Sequence, residues 1–243
     1  MHKESKFISH DDGTKIHVVQ TILDPKKVTT LLLPGLSGDA TESFNSLSKL
    51  VGEGFNLMAM SFRGRGRSST PSSGYSIRSH AQDLDLVINT IQSDKVVLVA
   101  TSIASIYTME YLEQYRTQRI SGLVIVDHPL KVRKLKSGWA QNFSKLKING
   151  VSVCSTMRKC ALEAVEQEST DEDYYRFFKG IDLPTLLMYP TIPNGVITEE
   201  DLQLFKDMKH VELAEVSDSD HFIRLRQPQR YYEVVDGFLE RYS

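Results

Sequence analysis

The chain is poor in cysteine and has no long apolar run. Cys154 and Cys160 are the only cysteines among 243 residues, and neither belongs to a CxxC pair or a cysteine–histidine cluster. We therefore expect reduced thiols, with neither a disulfide framework nor a structural zinc site. The longest apolar runs, 96–100 and 123–126, are far shorter than the roughly 20 residues that cross a bilayer. The sequence thus argues against insertion into a membrane.

Charge of one sign is also lacking. Lysine and arginine total 29, aspartate and glutamate total 31, and the formal net charge is −2. A basic nucleic-acid-binding protein or a long acidic tail is therefore not expected. The first six residues, MHKESK, contain no apolar stretch of the kind a secretory signal needs, so the chain is predicted to be cytoplasmic. Its length is sufficient for a full hydrophobic core.

Short β-rich runs alternate with longer amphipathic segments, which predicts an α/β fold with a mostly parallel sheet and helices on both faces. The predicted strands are 7–9 and 16–19, paired as a hairpin, then 28–33, 56–61, 96–100, 122–126, 184–189 and 211–216. Helices are expected near 79–91, 199–208 and 229–241. Residues 131–180 lose strand character and are too numerous for a plain loop, so we predict a short helical cap inserted into a core of 1–130 and 181–243.

Ser102 stands between the most apolar predicted strand and a predicted helix. Ala100 precedes it by two positions and Ala104 follows it by two, which is the spacing of GxSxG with alanine in place of both glycines. A nucleophile elbow needs small flanking residues because strand and helix crowd its strained central serine. The alternative interpretation is a serine that only caps a helix. Strand, tight turn and helix in this order favour the elbow.

Other parts of an acyl-transfer site follow in a suitable order. His221 lies in the predicted loop between the last strand and the last helix, where a general base can reach a serine at the end of the sheet. A serine early and a histidine late is the order found in hydrolases. The turn at Pro34-Gly35-Leu36 follows an early strand, so the N–H groups of Leu36 and Ile103 are candidate oxyanion donors.

Over nearly its whole length the chain resembles the α/β-hydrolase-fold family, in particular its small capped serine hydrolases. The segments that carry the resemblance are LLLPG at 31–35, SFRGRGRS at 61–68, VVLV at 96–99 with the elbow ATSIA at 100–104, PTLL at 184–187 and DHF at 220–222. Family members often have HG at 34–35 and aspartate at 61, and neither difference removes a backbone donor. Alanine at both flanks of Ser102 is the larger departure.

The resemblance places the triad acid after the strand that ends at 189, in a pattern like GxxDxxV. This chain has Asn194 at that position, and an amide does not stabilise an imidazolium as an anion does. Asp127 ends the strand after the elbow, where a minority of the family carries its acid, and we predict that it completes the triad. The alternative role for Asp127 is capping of the following turn. His128 is predicted to be a packed or pocket-lining histidine rather than a second base.

These expectations describe a cofactor-independent serine hydrolase that cleaves a small carboxylic ester or related acyl substrate, with Ser102 as nucleophile, His221 as base and Asp127 as acid. No metal or cofactor is expected. Two alternatives stay open because a fold does not fix a function. One is a cofactor-free dioxygenase or lyase on the same fold with the histidine as base, and the other is a non-catalytic small-molecule receptor or signalling protein. The oligomeric state is not predicted.

A basic stretch occupies the first part of the predicted cap. Eight basic residues and no acidic one occur between 131 and 160, and an acidic run follows. The stretch is either a positive lip that attracts an anionic substrate or a solvated face neutralised by the acidic run, and the second interpretation is favoured. Arg63, Arg65 and Arg67 allow the same two interpretations.

Overall fold

The computed structural model describes residues 3–48, 54–115 and 118–242. Its strands are β1 (Lys3–Ser9), β2 (Lys15–Thr21), β3 (Thr29–Leu33), β4 (Asn56–Ser61), β5 (Val96–Thr101), β6 (Ile120–Val126), β7 (Lys131–Val132), β8 (Lys147–Ile148), β9 (Val151–Ser152), β10 (Glu172–Asp173), β11 (Thr185–Pro190) and β12 (Val211–Val216). Its α-helices are α1 (Ala40–Leu47), α2 (Ile77–Ile88), α3 (Ala104–Tyr115), α4 (Trp139–Phe143), α5 (Lys159–Glu168), α6 (Tyr175–Lys179), α7 (Glu199–Lys206), α8 (Ile223–Arg226) and α9 (Pro228–Leu239).

Eight strands form the main sheet, in the order β1-β2-β4-β3-β5-β6-β11-β12. β2 pairs antiparallel with β1 and β4, and every other neighbouring pair is parallel. The predicted α/β fold with a mostly parallel sheet is therefore confirmed. Because the carboxyl ends of β3, β5, β6, β11 and β12 meet at one edge, the loops that follow these strands are brought together there.

Both faces of the sheet are covered by helices. Along β5, Val96, Leu98 and Ala100 point into one buried cluster, to which α2, α3 and α7 contribute. Val97 and Val99 point into a second cluster on the opposite face, to which α1 and α9 contribute. A strand buried on both faces has a continuous apolar sequence, and this is why β5 is the most apolar run of the chain.

The segment predicted as a helical cap, 131–180, contains α4, α5 and α6. It also contains two ribbons of two-residue strands, in which β7 pairs with β10 and β8 pairs with β9. Such short strands have no periodicity that a sequence pattern could reveal. Helix residues of the segment pack with Tyr75 and Met157 in a small cluster of their own.

No helix in the described ranges is long and apolar enough to cross a bilayer. Cys154 and Cys160 are both exposed and are not joined to each other.

Candidate active site

Ser102 occupies a sharp turn between β5 and α3. Its φ of +56° lies in the left-handed region, which non-glycine residues adopt only under local constraint. The Ser102 N–H donates to the Val126 carbonyl at 2.9 Å, and the Ser102 carbonyl accepts from the Ser105 N–H at 2.9 Å. Ala100 and Ala104 are fully buried beside the turn. These contacts hold the strained serine with its side chain at the edge of the sheet.

The structure brings Ser102, His221 and Asp127 together from three separate loops. His221 follows β12, and its Nε2 lies 3.0 Å from Ser102 Oγ. Its Nδ1 lies 2.7 Å from Oδ2 of Asp127, which follows β6 directly. A carboxylate can only accept, so Nδ1 carries the proton and Nε2 is left as the acceptor for the serine hydroxyl. This is the arrangement that lets an imidazole take a proton from a serine.

Asp127 is fully buried and also binds the loop that follows β11. Its carboxylate accepts from the Val196 N–H at 3.1 Å and from the Ile197 N–H at 3.4 Å. A Cβ on Gly195 would lie 2.5 Å from Asp127 Oδ2, so only glycine leaves room for the carboxylate. Asn194 is exposed, outside this arrangement. The carboxylate therefore combines the contact to His221 with hydrogen bonds to the loop after β11, which is a different segment from the turn after Asp127 that the capping alternative names.

Leu36 and Ile103, the two predicted oxyanion donors, both line the cavity into which Ser102 opens. In the described part of the chain, neither backbone N–H donates a hydrogen bond to another group. Gly35 lies directly against the elbow, because a Cβ there would be 3.3 Å from Ser102 Cβ. The loop that follows β3 (the β3 loop) can therefore approach the serine closely enough for its amides to face a reacting carbonyl.

Arg65 holds the β3 loop in place through hydrogen bonds. Its side chain is fully buried, and Nε donates to the Leu36 carbonyl at 2.7 Å. One terminal nitrogen donates to the Arg63 carbonyl at 2.9 Å and to His80 Nε2 at 2.7 Å, and the other donates to the Tyr107 hydroxyl at 3.1 Å. Burial and the neighbouring guanidinium lower the pKa of His80 to about 3, so its ring is a neutral acceptor.

The cap segment around Thr156 makes a second attachment to the same loop. The Thr156 hydroxyl donates to the Ser37 carbonyl, and the Thr156 carbonyl accepts from the Gly66 N–H at 2.7 Å. Arg65 also forms an isolated backbone bridge with Met157. The cap, the arginine turn and the β3 loop are thus joined by hydrogen bonds immediately behind the candidate oxyanion site.

A cavity of about 930 Å³ opens above Ser102. Apolar and aromatic side chains from segment 131–180 form much of its wall, among them Trp139, Phe143, Leu146 and Val153. Deep pockets of this kind, with a few polar groups, are typical of small-molecule sites. In the described ranges, no group of three or more histidine, cysteine, aspartate or glutamate side chains is arranged to hold a metal ion.

The basic residues of the sequence have several different positions. Arg63 is buried and forms a salt bridge of 2.6 Å with Asp83. Arg65 is buried as described, so neither a positive lip nor a solvated face describes these two arginines. Within the cap stretch, Arg133 and Lys147 line the cavity, whereas Lys131 forms a salt bridge with Asp201.

Three residues of the site were not found from the sequence. Arg65 lies in a run of alternating arginine and glycine that is typical of an exposed turn, Thr156 lies in a segment without periodicity, and Gly195 lies beside the expected acid position. The family turn at 61–68 was the one available signal, and it did not distinguish the buried arginines from the exposed one.

The parallel sheet, with a strained serine turn at the end of a central strand, defines the nucleophile-elbow class of α/β proteins. Residues 30–189, more than half of the chain, match the family described as alpha/beta hydrolase fold. The chain belongs to that family, as the motifs at 31–35, 61–68 and 100–104 predicted.

Individual relatives differ in the chemistry that their names record. A protein of Synechocystis sp. named as a non-heme chloroperoxidase is 31% identical over 91 residues, which are 37% of this chain and 32% of the relative. This chain thus matches about a third of that relative's length. The esterase EaEST from Exiguobacterium antarcticum superposes with a TM-score of 0.79 at 18% identity, covering 98% of this chain and 100% of the esterase. A bromoperoxidase from Bacillus anthracis gives 0.78 at 15%, with coverage of 98% and 100%. At these identities the likeness is one of fold.

Proposed function

We propose that the protein is a cofactor-independent serine hydrolase that cleaves a carboxylic ester or related acyl compound through an acyl-enzyme. Ser102 is the nucleophile, His221 the general base and acid, and Asp127 the carboxylate that orients and stabilises the imidazolium. The N–H groups of Leu36 and Ile103 are the oxyanion donors. The substrate is a small molecule whose acyl or alcohol part occupies the apolar cavity.

The acylation half begins with attack of Ser102 Oγ on the substrate carbonyl carbon. His221 Nε2 takes the hydroxyl proton as the new C–O bond forms, and the carbonyl oxygen becomes an oxyanion that accepts from the two backbone donors. The tetrahedral intermediate then collapses. The bond to the leaving oxygen breaks, His221 donates its proton to that oxygen, and the alcohol departs.

The deacylation half repeats these steps with water as the nucleophile. His221 Nε2 takes a proton from the water while the water oxygen adds to the acyl carbon. The second tetrahedral intermediate expels Ser102 Oγ, which regains its proton from His221, and the carboxylic acid is released. Throughout both halves the Asp127 carboxylate accepts the hydrogen bond from Nδ1–H, and the proton stays on Nδ1. Nε2 alone therefore exchanges protons with the reacting groups.

One observation carries the proposal. Asp127, His221 and Ser102 form a continuous hydrogen-bonded chain, with steps of 2.7 and 3.0 Å, that ends at a serine with φ of +56° on the floor of the cavity. A helix-capping serine needs neither the histidine nor the strained backbone. The first contact of the hydrogen-bonded chain joins loops that are distant in sequence, since His221 lies more than 90 residues after Asp127.

The test uses a fluorophosphonate probe and 4-nitrophenyl esters of short acids. We expect covalent labelling of the wild-type protein, with mass mapping to the peptide that contains Ser102, and a burst of 4-nitrophenolate as the acyl-enzyme forms. Ser102→Ala should abolish both. Ser105→Ala is the matched control, because Ser105 is a buried serine three positions away whose hydroxyl, within the described residues, makes a single long contact of 3.4 Å with the Ala100 carbonyl, and the substitution keeps its backbone N–H.

Other outcomes would indicate the two alternative functions. Persistent labelling of Ser102→Ala refutes the nucleophile assignment. Substantial turnover by Ser102→Ala that is lost in His221→Ala would favour a lyase or cofactor-free dioxygenase, in which the histidine deprotonates the substrate. Tight binding of a small molecule by wild-type protein, with neither burst nor labelling, would favour a receptor.

A further inference from the structure

The acidic groups that line the cavity are already committed to other partners. Asp39 caps α1 by accepting from two backbone N–H groups. Glu42 forms a salt bridge of 2.6 Å with Arg224. The carboxylate of Glu168 accepts from the N–H groups of residues 74, 75 and 76 at 2.7 to 3.0 Å. Each of these carboxylates already has a hydrogen-bond or salt-bridge partner within the protein, and a further acceptor that lines the cavity has none for one of its ring nitrogens.

That acceptor is His128, the residue directly after Asp127. Its Nδ1 lies 2.7 Å from the Pro129 carbonyl, which can only accept, so Nδ1 carries the ring proton and Nε2 has a free lone pair. Burial in the site, together with the nearby His221, lowers the pKa of His128 to about 4. The ring is therefore neutral at neutral pH, and Nε2 stays an acceptor.

His128 lines the same cavity as Ser102. In the described part of the chain Nε2 has no hydrogen-bond partner, and it is not among the unpaired polar atoms that the protein encloses completely. Once a substrate fills this largely apolar cavity and excludes water from Nε2, an acceptor without a donor costs free energy, so a ligand that brings a donor to it is favoured.

We propose that His128 selects the substrate: its Nε2 accepts a hydrogen bond from an N–H or O–H group that the acyl substrate carries close to the scissile carbonyl. This proposal rests on the proposed hydrolase function and deepens it, since it names a class of substrate. Esters that carry an amide or hydroxyl near the reacting carbon belong to that class, and plain alkyl esters do not. His128 makes no bond to the reacting atoms, so it is a recognition residue and not a second base.

The experiment compares matched esters that differ only in the donor. On the acyl side, 4-nitrophenyl N-acetylglycinate is compared with 4-nitrophenyl levulinate, which has CH₂ for N–H, and 4-nitrophenyl 3-hydroxybutyrate with 4-nitrophenyl isovalerate, which has CH₃ for O–H. On the alcohol side, 2-hydroxyethyl butyrate is compared with propyl butyrate. Each kcat/KM is divided by the rate constant of hydroxide-catalysed hydrolysis of the same ester, which removes intrinsic reactivity.

We expect at least one pair to show a preference of about tenfold for the donor-bearing ester, the size of one neutral hydrogen bond. His128→Phe keeps a ring but removes the acceptor, and should abolish that preference, which is measured as the ratio of the two normalised kcat/KM values within the same variant. His128→Gln places an amide oxygen near the position of Nε2 and should restore much of it. The position and type of donor in the preferred pair then identify the substrate subclass.

Two results would overturn the proposal. The first is equal reaction of both members of every pair with wild-type enzyme, which is the outcome if a water molecule satisfies Nε2 in the complex. The second is a preference that survives unchanged in His128→Phe. Failure of the hydrolase proposal itself has a different signature, because no ester would then be turned over and no probe would label Ser102.

Discussion

Replacing Arg65 by methionine tests whether the β3 loop must be fastened for catalysis. Methionine keeps a long, unbranched side chain but cannot donate a hydrogen bond. The Leu36 and Arg63 carbonyls, His80 Nε2 and the Tyr107 hydroxyl would each lose the donor that Arg65 now supplies. The Leu36 N–H lies on the other side of the same residue, so release of its carbonyl frees the proposed oxyanion donor to move.

The expected loss of stability is moderate because two effects oppose each other. Leaving four acceptors without this donor costs about 1–3 kcal/mol for each one that stays buried and unpaired. Removing the guanidinium also removes a buried charge that, within the described residues, forms no salt bridge, and such a charge carries a desolvation penalty of several kcal/mol. We therefore expect the free energy of unfolding to fall by about 2–4 kcal/mol, which leaves a typical domain folded.

We expect catalytic activity to be affected more strongly than the free energy of unfolding, and the effect to fall on the chemical step. Loss of one oxyanion donor costs about a hundredfold or more in kcat, and partial misplacement costs less. We predict that Arg65→Met lowers kcat by about thirtyfold to a hundredfold and changes KM less than threefold. Affinity for an alkyl boronic acid, which mimics the tetrahedral intermediate, should fall in parallel with kcat/KM.

Arg67→Met is the control, since Arg67 belongs to the same turn but is exposed over the Phe7 ring. It should change kcat less than twofold and the free energy of unfolding by less than about 0.5 kcal/mol. Should Arg65→Met prove too unstable to assay, Thr156→Val removes the neighbouring hydrogen bond to Ser37 and should lower kcat several-fold with little loss of stability. Folded Arg65→Met enzyme with kcat and boronate affinity within twofold of wild type would refute the reasoning.

Three further predictions concern the proposed acid Asp127, the glycine packed against it and the buried His80. Asp127→Asn should lower kcat by about 10³–10⁴-fold, whereas Asn194→Ala, at the position where the family usually has its acid, should change kcat less than threefold, as steady-state ester kinetics will show. Gly195→Ala, whose Cβ would lie 2.5 Å from the Asp127 carboxylate, should lower kcat about a hundredfold while urea unfolding shows a much smaller relative effect. The pKa of His80 is about 3 when folded and about 6.5 when unfolded, so the unfolded chain binds the extra proton and stability falls as pH falls below 6.5. We expect urea unfolding at pH 5 to give a free energy about 2 kcal/mol below that at pH 7.5 from His80 alone, and His80→Gln to flatten this dependence.

Much of the fold was predictable because its signals are local. The central strands are continuous apolar runs since both of their faces are buried, and the loop between each strand and helix is marked by small residues. Ser102 was predictable for the same reason: a strained turn between a buried strand and a helix tolerates only alanine or glycine beside it. The order of serine and histidine along the chain then placed both at one edge of the sheet.

The parts that were missed depend on contacts between distant segments. A turn that reads RGRGR gives no local sign that its first two arginines are buried and the third exposed. Arg63 is buried because Asp83, 20 residues away, pairs with it, and Arg65 is buried because neutral acceptors from three other segments surround it. The two-residue ribbons of the cap are likewise defined only by their pairing partners.

The loop after β11 shows how a segment can contribute to the candidate site without supplying the proposed acid. The loop after β11 carries asparagine where the family usually has the acid, yet this loop still reaches the site, because Asp127 accepts hydrogen bonds from its Val196 and Ile197 N–H groups. In this chain the loop thus holds the Asp127 carboxylate through its backbone and does not itself supply the proposed acid. Two backbone donors restrict the carboxylate to the orientation in which Oδ2 also faces His221. It follows that changes in this loop should affect activity through the backbone and through Gly195, and hardly at all through the side chain of Asn194.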